Sequence, residues 1–191
     1  CRWALGLHSS TRERLSILDR FYAAVFSVTG KPASVLDLGC GLNPLALPWM
    51  ALSVQPQYVA LDIDTQRVRF LNRYMALAGL EPAARCQDLL ARPPQDAADV
   101  ALLLKMSPSL DRQEPGATLR LLSLLDSPWI VVSFAVKSLG GREKGMLDHY
   151  GQQFPASLQT SFPDGNWHIT RLAFETELVF VLGKPQSRSA S

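Results

Sequence analysis

The residues that could carry chemistry sit where apolar runs end. Val35, Leu36 and Leu38 lead into Asp37-Leu38-Gly39-Cys40-Gly41, with Asn43-Pro44 two residues further on. The next apolar run, Tyr58 to Leu61, closes on Asp62, and Asp88 and Lys105 follow two later ones. Glycines in such a turn let backbone approach a ligand where a Cβ would collide. The pattern D-x-G-x-G is shorter than the dinucleotide fingerprint G-x-G-x-x-G, and Pro44 stands where the third glycine belongs, so the turn is not built for a pyrophosphate. An acid at the end of a second strand, about 20 residues on, can accept both ribose hydroxyls. An acidic first turn with such a ribose acid suits S-adenosylmethionine, a nucleoside with no phosphates and a cationic sulfur. The plainer alternative is a strand-turn-helix with a chance acid.

Further candidates flank these. Asp88, in Gln87-Asp88-Leu89-Leu90, could accept from an adenine amino group or be an ordinary loop aspartate. Lys105 ends the run Asp99 to Leu104, which puts it at the usual ligand crevice of an open α/β sheet; the alternative is a lysine that snorkels to solvent. His8-Ser9-Ser10-Thr11 and Arg14 open a helix. Either that helix only covers the sheet, or His8, the serines and Arg14 reach the cofactor's carboxylate. Lys137, Arg142 and Lys144 share a glycine-rich loop, Lys137–Met146, that suits phosphate contact or is simply solvated.

Elements must hold these residues in place. Leu15, Leu18, Tyr22, Val25 and Phe26 recur at helical spacing, predicting one helix within 8–29 capped by Ser9, Ser10 or Thr11, with Glu13 in a capping box. Strands are expected at 34–38, 58–62, 84–86, 99–105 and 129–135, and helices at 45–54, 64–78 and 110–126. The fourth strand reads as an unbroken apolar run, as a strand buried on both faces does. His168–Phe174 and Glu177–Leu182 read as a terminal antiparallel pair, and no element is placed between residue 135 and that pair.

Composition narrows the class. With 191 residues, nearly half of them apolar, one domain with a sizeable core is expected. No apolar run reaches the roughly 18 residues of a membrane helix, and no signal peptide is visible. Three cysteines at unrelated spacings make neither a metal set nor a disulfide framework, which points to a reducing cytoplasm. Cys40 is expected to pack as a small apolar residue. The net charge of +2 gives little support for nucleic-acid binding by itself.

The acceptor follows from what is missing. Amino-group methylation of bases commonly uses Asx-Pro-Pro-aromatic after the fourth strand, and here that position reads Lys105-Met106-Ser107-Pro108. No cysteine pair supports attack on a base carbon. A ring nitrogen lone pair such as guanine N7 needs no general base, which leaves catalysis to proximity and orientation.

The runs 7–19 (L-H-S-S-T-R-E-R-L-S-I-L-D), 35–47 (V-L-D-L-G-C-G-L-N-P-L-A-L), 103–110 (L-L-K-M-S-P-S-L), 132–146 (V-S-F-A-V-K-S-L-G-G-R-E-K-G-M) and 175–182 (E-T-E-L-V-F-V-L) resemble the aminoglycoside-resistance 16S ribosomal RNA (guanine-N7) methyltransferases. The resemblance spans nearly the whole chain. It implies an α/β, Rossmann-like class I S-adenosylmethionine-dependent methyltransferase with a seven-stranded, mostly parallel sheet and a C-terminal antiparallel hairpin. It implies methylation of N7 of one decoding-site guanine on the assembled small subunit, by a monomer, with no metal. By matching motif, it implies cofactor contacts from His8, Ser9, Ser10, Arg14, Gly39, Asp62, Asp88, Leu89, Leu104 and Gln113. Lys105 would position RNA or the base, Glu177 would face the developing positive charge, and Lys137, Arg142 and Lys144 would meet RNA. The expected layout is a methyltransferase domain over 1–184 and a disordered tail over 185–191, without the family's N-terminal RNA-docking domain. Ala135 departs from the proline common after V-S-F in that family. Competing readings are a methyltransferase on another RNA or a small molecule, a non-catalytic cofactor-binding module, and, least supported, a nicotinamide dehydrogenase.

Overall fold

A computed structural model describes residues 1–52, 56–136, 144–163 and 165–184, with the backbone alone for 144–149. Seven strands form one sheet in the order β3-β2-β1-β4-β5-β7-β6. They are β1 (Ser34–Leu38), β2 (Gln57–Asp62), β3 (Ala84–Cys86), β4 (Val100–Leu104), β5 (Trp129–Ala135), β6 (His168–Ala173) and β7 (Glu177–Gly183). The first five run parallel; β7 lies antiparallel between β5 and β6. Every residue of β4 and β7 is buried, which is why each reads as a continuous apolar run.

Alternate residues of the central strands feed two cores. Val35, Ala60, Val100, Leu102, Val131 and Val179 face one side. Leu36, Leu38, Leu61, Leu103, Val132 and Phe180 face the other. The first core is closed by α1 (Arg2–Leu5), α3 (Leu18–Thr29), α4 (Leu47–Met50) and α5 (Thr65–Leu77); the second by α6 (Ser107–Gln113), α7 (Ala117–Leu124) and α8 (Lys144–Ser161). A further short helix, α2 (Ser9–Arg14), lies at the strand ends.

Several helix expectations need correcting. The helix expected within 8–29 is two, α2 and α3. Leu15 and Ile17 donate to carbonyls only three residues back, which tightens the chain between them. His8 caps α2 from an extended backbone, without a side-chain cap bond, and Glu13 forms no capping box because it pairs with Lys105. The helix expected over 45–54 is a 3-10 turn (Asn43–Ala46) followed by α4, which stops at Ala51 in a left-handed conformation (φ 47°); residues 53–55 lie outside the described residues. The helix expected over 110–126 is also two. Pro115 forces Glu114 into extended backbone, and Gly116 at φ 81° starts the second. Finally, α8 fills a stretch where no element was expected. Pro155 inside it weakens its signal.

Candidate functional site

A cleft of about 350 Å³ opens at the carboxyl ends of β1, β2 and β4, where an open parallel sheet binds its ligands. Its floor is the glycine turn. Gly39 (φ 60°) and Gly41 (φ 56°) both sit in left-handed backbone. A Cβ on Gly39 would lie 2.7 Å from the Met106 side chain, and one on Gly41 would lie 3.2 Å from the His8 imidazole. The turn is thus a cradle that any side chain would fill. A larger hollow, about 570 Å³, lies at the opposite ends of β2 and β3. Among the described residues, Glu81 is the only charged side chain on its wall, so chemistry is assigned to the smaller cleft.

Asp62 is almost buried at the end of β2. Its Oδ2 accepts from the Gly41 N–H (2.9 Å), and its Oδ1 accepts from the Asp64 N–H (2.9 Å) and Arg67 Nη1 (2.7 Å). A carboxylate has about four acceptor positions, so Oδ2 keeps capacity for a ligand hydroxyl. Asp88 is exposed; its Oδ1 accepts from the Leu90 and Ala91 N–H groups, and its Oδ2 has no protein partner among the described residues. Across the cleft, His8 Nδ1 and Ser10 Oγ share a hydrogen bond of 2.9 Å. Burial, and next the Arg67 charge, hold the His8 pKa below the usual imidazole value, although Asp62 opposes them.

Of the residues expected to bind the cofactor, His8, Ser9, Ser10, Gly39, Asp62, Asp88, Leu89, Leu104 and Gln113 line this one cleft. Arg14 does not. Its guanidinium lies behind the wall, where Nε and Nη2 donate to Glu177 at 3.0 and 2.7 Å and Nη1 donates to Asn43 at 2.9 Å. Phe21 covers it, with the ring centroid 4.7 Å away. Glu177 is fully buried as well. Burial raises its pKa, but Arg14 and Lys105 outweigh that, and the Ser133 hydroxyl donates to it at 2.5 Å, so it stays a carboxylate. It cannot touch a base from there; Lys105 stands within 3.4 Å of it. The acid of the first turn also turns inward. Asp37 accepts from Tyr58 (2.6 Å) and Asn43 (2.9 Å), and burial raises its pKa to about 6.

Lys105 lines the cleft, but its ammonium is turned to protein oxygens: Glu13 Oε2 at 2.8 Å and the Ser10 carbonyl at 3.2 Å. Lys137 and Arg142 lie outside the described residues; Lys144 opens α8, and its side chain lies outside them too. Gly41 of the glycine turn also lines the cleft, as do Ile63, Arg67, Met106, Ser109 and Leu110, which were not singled out from the sequence. For Arg67 a signal exists: it follows Asp62 by five residues, on the first turn of the helix that comes after it. Cys40 packs buried in the turn, as expected.

The sequence model described as Ribosomal RNA methyltransferase (FmrO) matches residues 1–181. The chain belongs to this family. It is 43% identical to a protein of Frankia casuarinae over 94% of its own length and 62% of that protein, and 40% identical to one of Micromonospora rosea over 96% and 66%. Both are named 16S rRNA (guanine(1405)-N(7))-methyltransferase. The chain thus spans slightly less than two thirds of the relatives it matches. Among solved structures, it superposes on the 16S rRNA methyltransferase RmtF in complex with S-adenosyl-L-homocysteine with a TM-score of 0.82 and 36% identity, covering 96% of this chain and 68% of that one. An rRNA methylase from Escherichia coli gives a TM-score of 0.81 at 31% identity, covering 96% and 70%. The α/β fold with its C-terminal antiparallel strands is the one expected. No helix among the described residues is long and apolar enough to cross a membrane.

Proposed function

We propose that this FmrO-family chain is the catalytic part of an S-adenosylmethionine-dependent methyltransferase that acts on N7 of a guanine in the decoding site of 16S rRNA, in the small ribosomal subunit, and so confers aminoglycoside resistance. The observation that carries the reading is the convergence of the glycine cradle, Asp62, Asp88 and the His8–Ser10 turn on one cleft, in a chain of this family.

The residues present fit the cofactor. Asp62 would hold the ribose, Asp88 the adenine amino group, and His8, Ser9 and Ser10 the amino-acid end above Gly39 and Gly41. Leu89 and Leu104 would pack on the apolar parts, with Gln113 at the rim. Bound there, S-adenosylmethionine supplies a methyl group activated by a cationic sulfur. Guanine N7 carries no proton, so the chain needs no general base; its residues bind, orient and exclude water. Arg14 supports the cleft from behind, because it ties α2 to β7. Lys137, Arg142 and Lys144 are assigned to RNA phosphates on their sequence alone.

The test is transfer of labelled methyl from S-adenosylmethionine to intact small subunits, with naked 16S RNA in parallel, and mapping of the product. A single N7-methylguanine in the decoding site is expected, on subunits only. A methyl mapped to another atom, or a chain that binds no S-adenosylhomocysteine, overturns the reading.

A further inference from the structure

We propose that Lys105 is a latch that holds α2 against the cofactor cleft, with Glu13 as its positioning partner. This rests on the reading of that cleft as the S-adenosylmethionine site. It replaces the expectation that Lys105 reaches RNA.

A lysine ammonium has three N–H groups and no acceptor. Three oxygens surround this one: Glu13 Oε2 at 2.8 Å, the Ser10 carbonyl at 3.2 Å and Glu177 Oε2 at 3.4 Å. Its side chain is only 8% exposed. An RNA phosphate would have to displace one of these oxygens, and two of them belong to carboxylates. With Arg14, the group holds two cations and two anions packed together, so its charge is already balanced inside the protein.

The backbone supports the same conclusion. Lys105 has φ 60°, a left-handed region that residues other than glycine seldom occupy. Its N–H is held by the Ser133 carbonyl at 3.0 Å and the Ser133 hydroxyl at 3.2 Å. Strain of this kind persists where surrounding structure over-determines it, and here it accompanies a side chain that returns to α2.

The need for a latch follows from α2 itself. Six residues cannot hold a helix by their own hydrogen bonds. Yet His8, Ser9 and Ser10 form one wall of the cleft. Among the described residues, the ties from the sheet ends to α2 are Arg14 to Glu177, at its last residue, and Lys105 to the Ser10 carbonyl in its first turn and to Glu13 in its last. Glu13 lies off the cleft wall and is partly exposed, so it acts only through Lys105.

Two readouts test this on the whole chain. The first is amide hydrogen exchange of residues 9–14 in the absence of cofactor; the second is the calorimetric affinity for S-adenosylhomocysteine. Glu13→Ala is expected to speed exchange in α2 about tenfold, with β4 and β5 amides unchanged, and to weaken binding about tenfold. Glu13→Gln, which keeps an acceptor, is expected to fall between. In methyl transfer, the rise in cofactor KM should exceed any fall in kcat. Lys105→Met should match Glu13→Ala in both readouts if it folds; Glu13 is exposed enough that its variants keep the question answerable if it does not. Exchange and affinity within twofold of wild type for Glu13→Ala overturn the latch, as does a Lys105→Met chain that loses only RNA binding. If wild type binds no S-adenosylhomocysteine, the cofactor reading fails and the exchange comparison still decides the latch.

Discussion

Arg14 and Glu177 stand 163 positions apart in the chain and meet fork to fork, at 3.0 and 2.7 Å, with neither side chain open to water. Removing one member leaves the other charge buried and alone. Glu177→Ala is therefore expected to lower unfolding free energy by about 3–5 kcal/mol. Arg14→Lys loses the two-pronged geometry and is expected to lose stability too. A paired apolar replacement, Arg14→Met with Glu177→Leu, should recover much of the loss. Urea unfolding of the four proteins checks this; a double variant as unstable as Glu177→Ala alone would show that the pair is not what the stability depends on.

Asp62 is the acid that a nucleoside would meet. Asp62→Asn turns an acceptor oxygen into a donor and removes the charge that Arg67 and Gly41 face. Hydrogen bonds to charged groups contribute roughly 1.5–3 kcal/mol, so S-adenosylhomocysteine affinity should fall about 10- to 100-fold. Calorimetric titration measures it, and an unchanged affinity would remove Asp62 from the ribose site.

Gly39 separates steric from conformational effects. Gly39→Ala places a methyl where the Met106 thioether now lies and forces an alanine into φ 60°. Met106 must then swing into the cleft, and cofactor affinity should fall. Combining it with Met106→Ala should restore part of that affinity, but not the stability lost to backbone strain. Thermal melts and binding isotherms of the single and double variants distinguish the two.

Asp37 gives the protein a pH signature. Its folded pKa is about 6, above the ordinary 3.8. A raised acid binds its proton more tightly when folded, so its contribution to stability is full below about pH 3.8 and is lost as pH rises through about 6. At neutral pH the buried charge costs on the order of 3 kcal/mol. Asp37→Asn keeps an acceptor toward Tyr58 and Asn43 without the charge. Its melting temperature should gain on wild type between pH 4.5 and pH 8, the span about the folded pKa. A difference that stays flat over that range would refute the assignment.

What the sequence disclosed depended on the range of the interaction. Strands β1, β3 and β5 were legible to the residue, and β2, β4 and β7 nearly so; for the central strands the reason is that burial on both faces writes itself as local apolar runs. The cleft residues at strand ends were legible for the same reason: Gly39, Asp62, Asp88 and Leu104 follow directly from where those runs stop. Arg14 and Glu177 were misread. Each is a charged residue in an unremarkable local setting, and only the sheet order brings them face to face. Glu13 was misread because a capping box and a lysine partner look alike until Lys105 arrives from 92 positions away. No proline or glycine marks the helix break at Leu15, whereas Pro115 and Gly116 mark the second break locally.

The insertion of β7 between β5 and β6 orders events at the ribosome exit. A nascent chain that has emerged only as far as β5 already contains the glycine cradle, Asp62, Asp88 and Lys105. It still lacks Glu177, the first residue of β7. Until that strand slots in, Arg14 lacks its Glu177 partner, Ser133 lacks its acceptor, and α2 is tied to the sheet ends through Lys105 alone. The wall formed by His8, Ser9 and Ser10 therefore depends, through Arg14, on a strand more than 160 residues further along the chain.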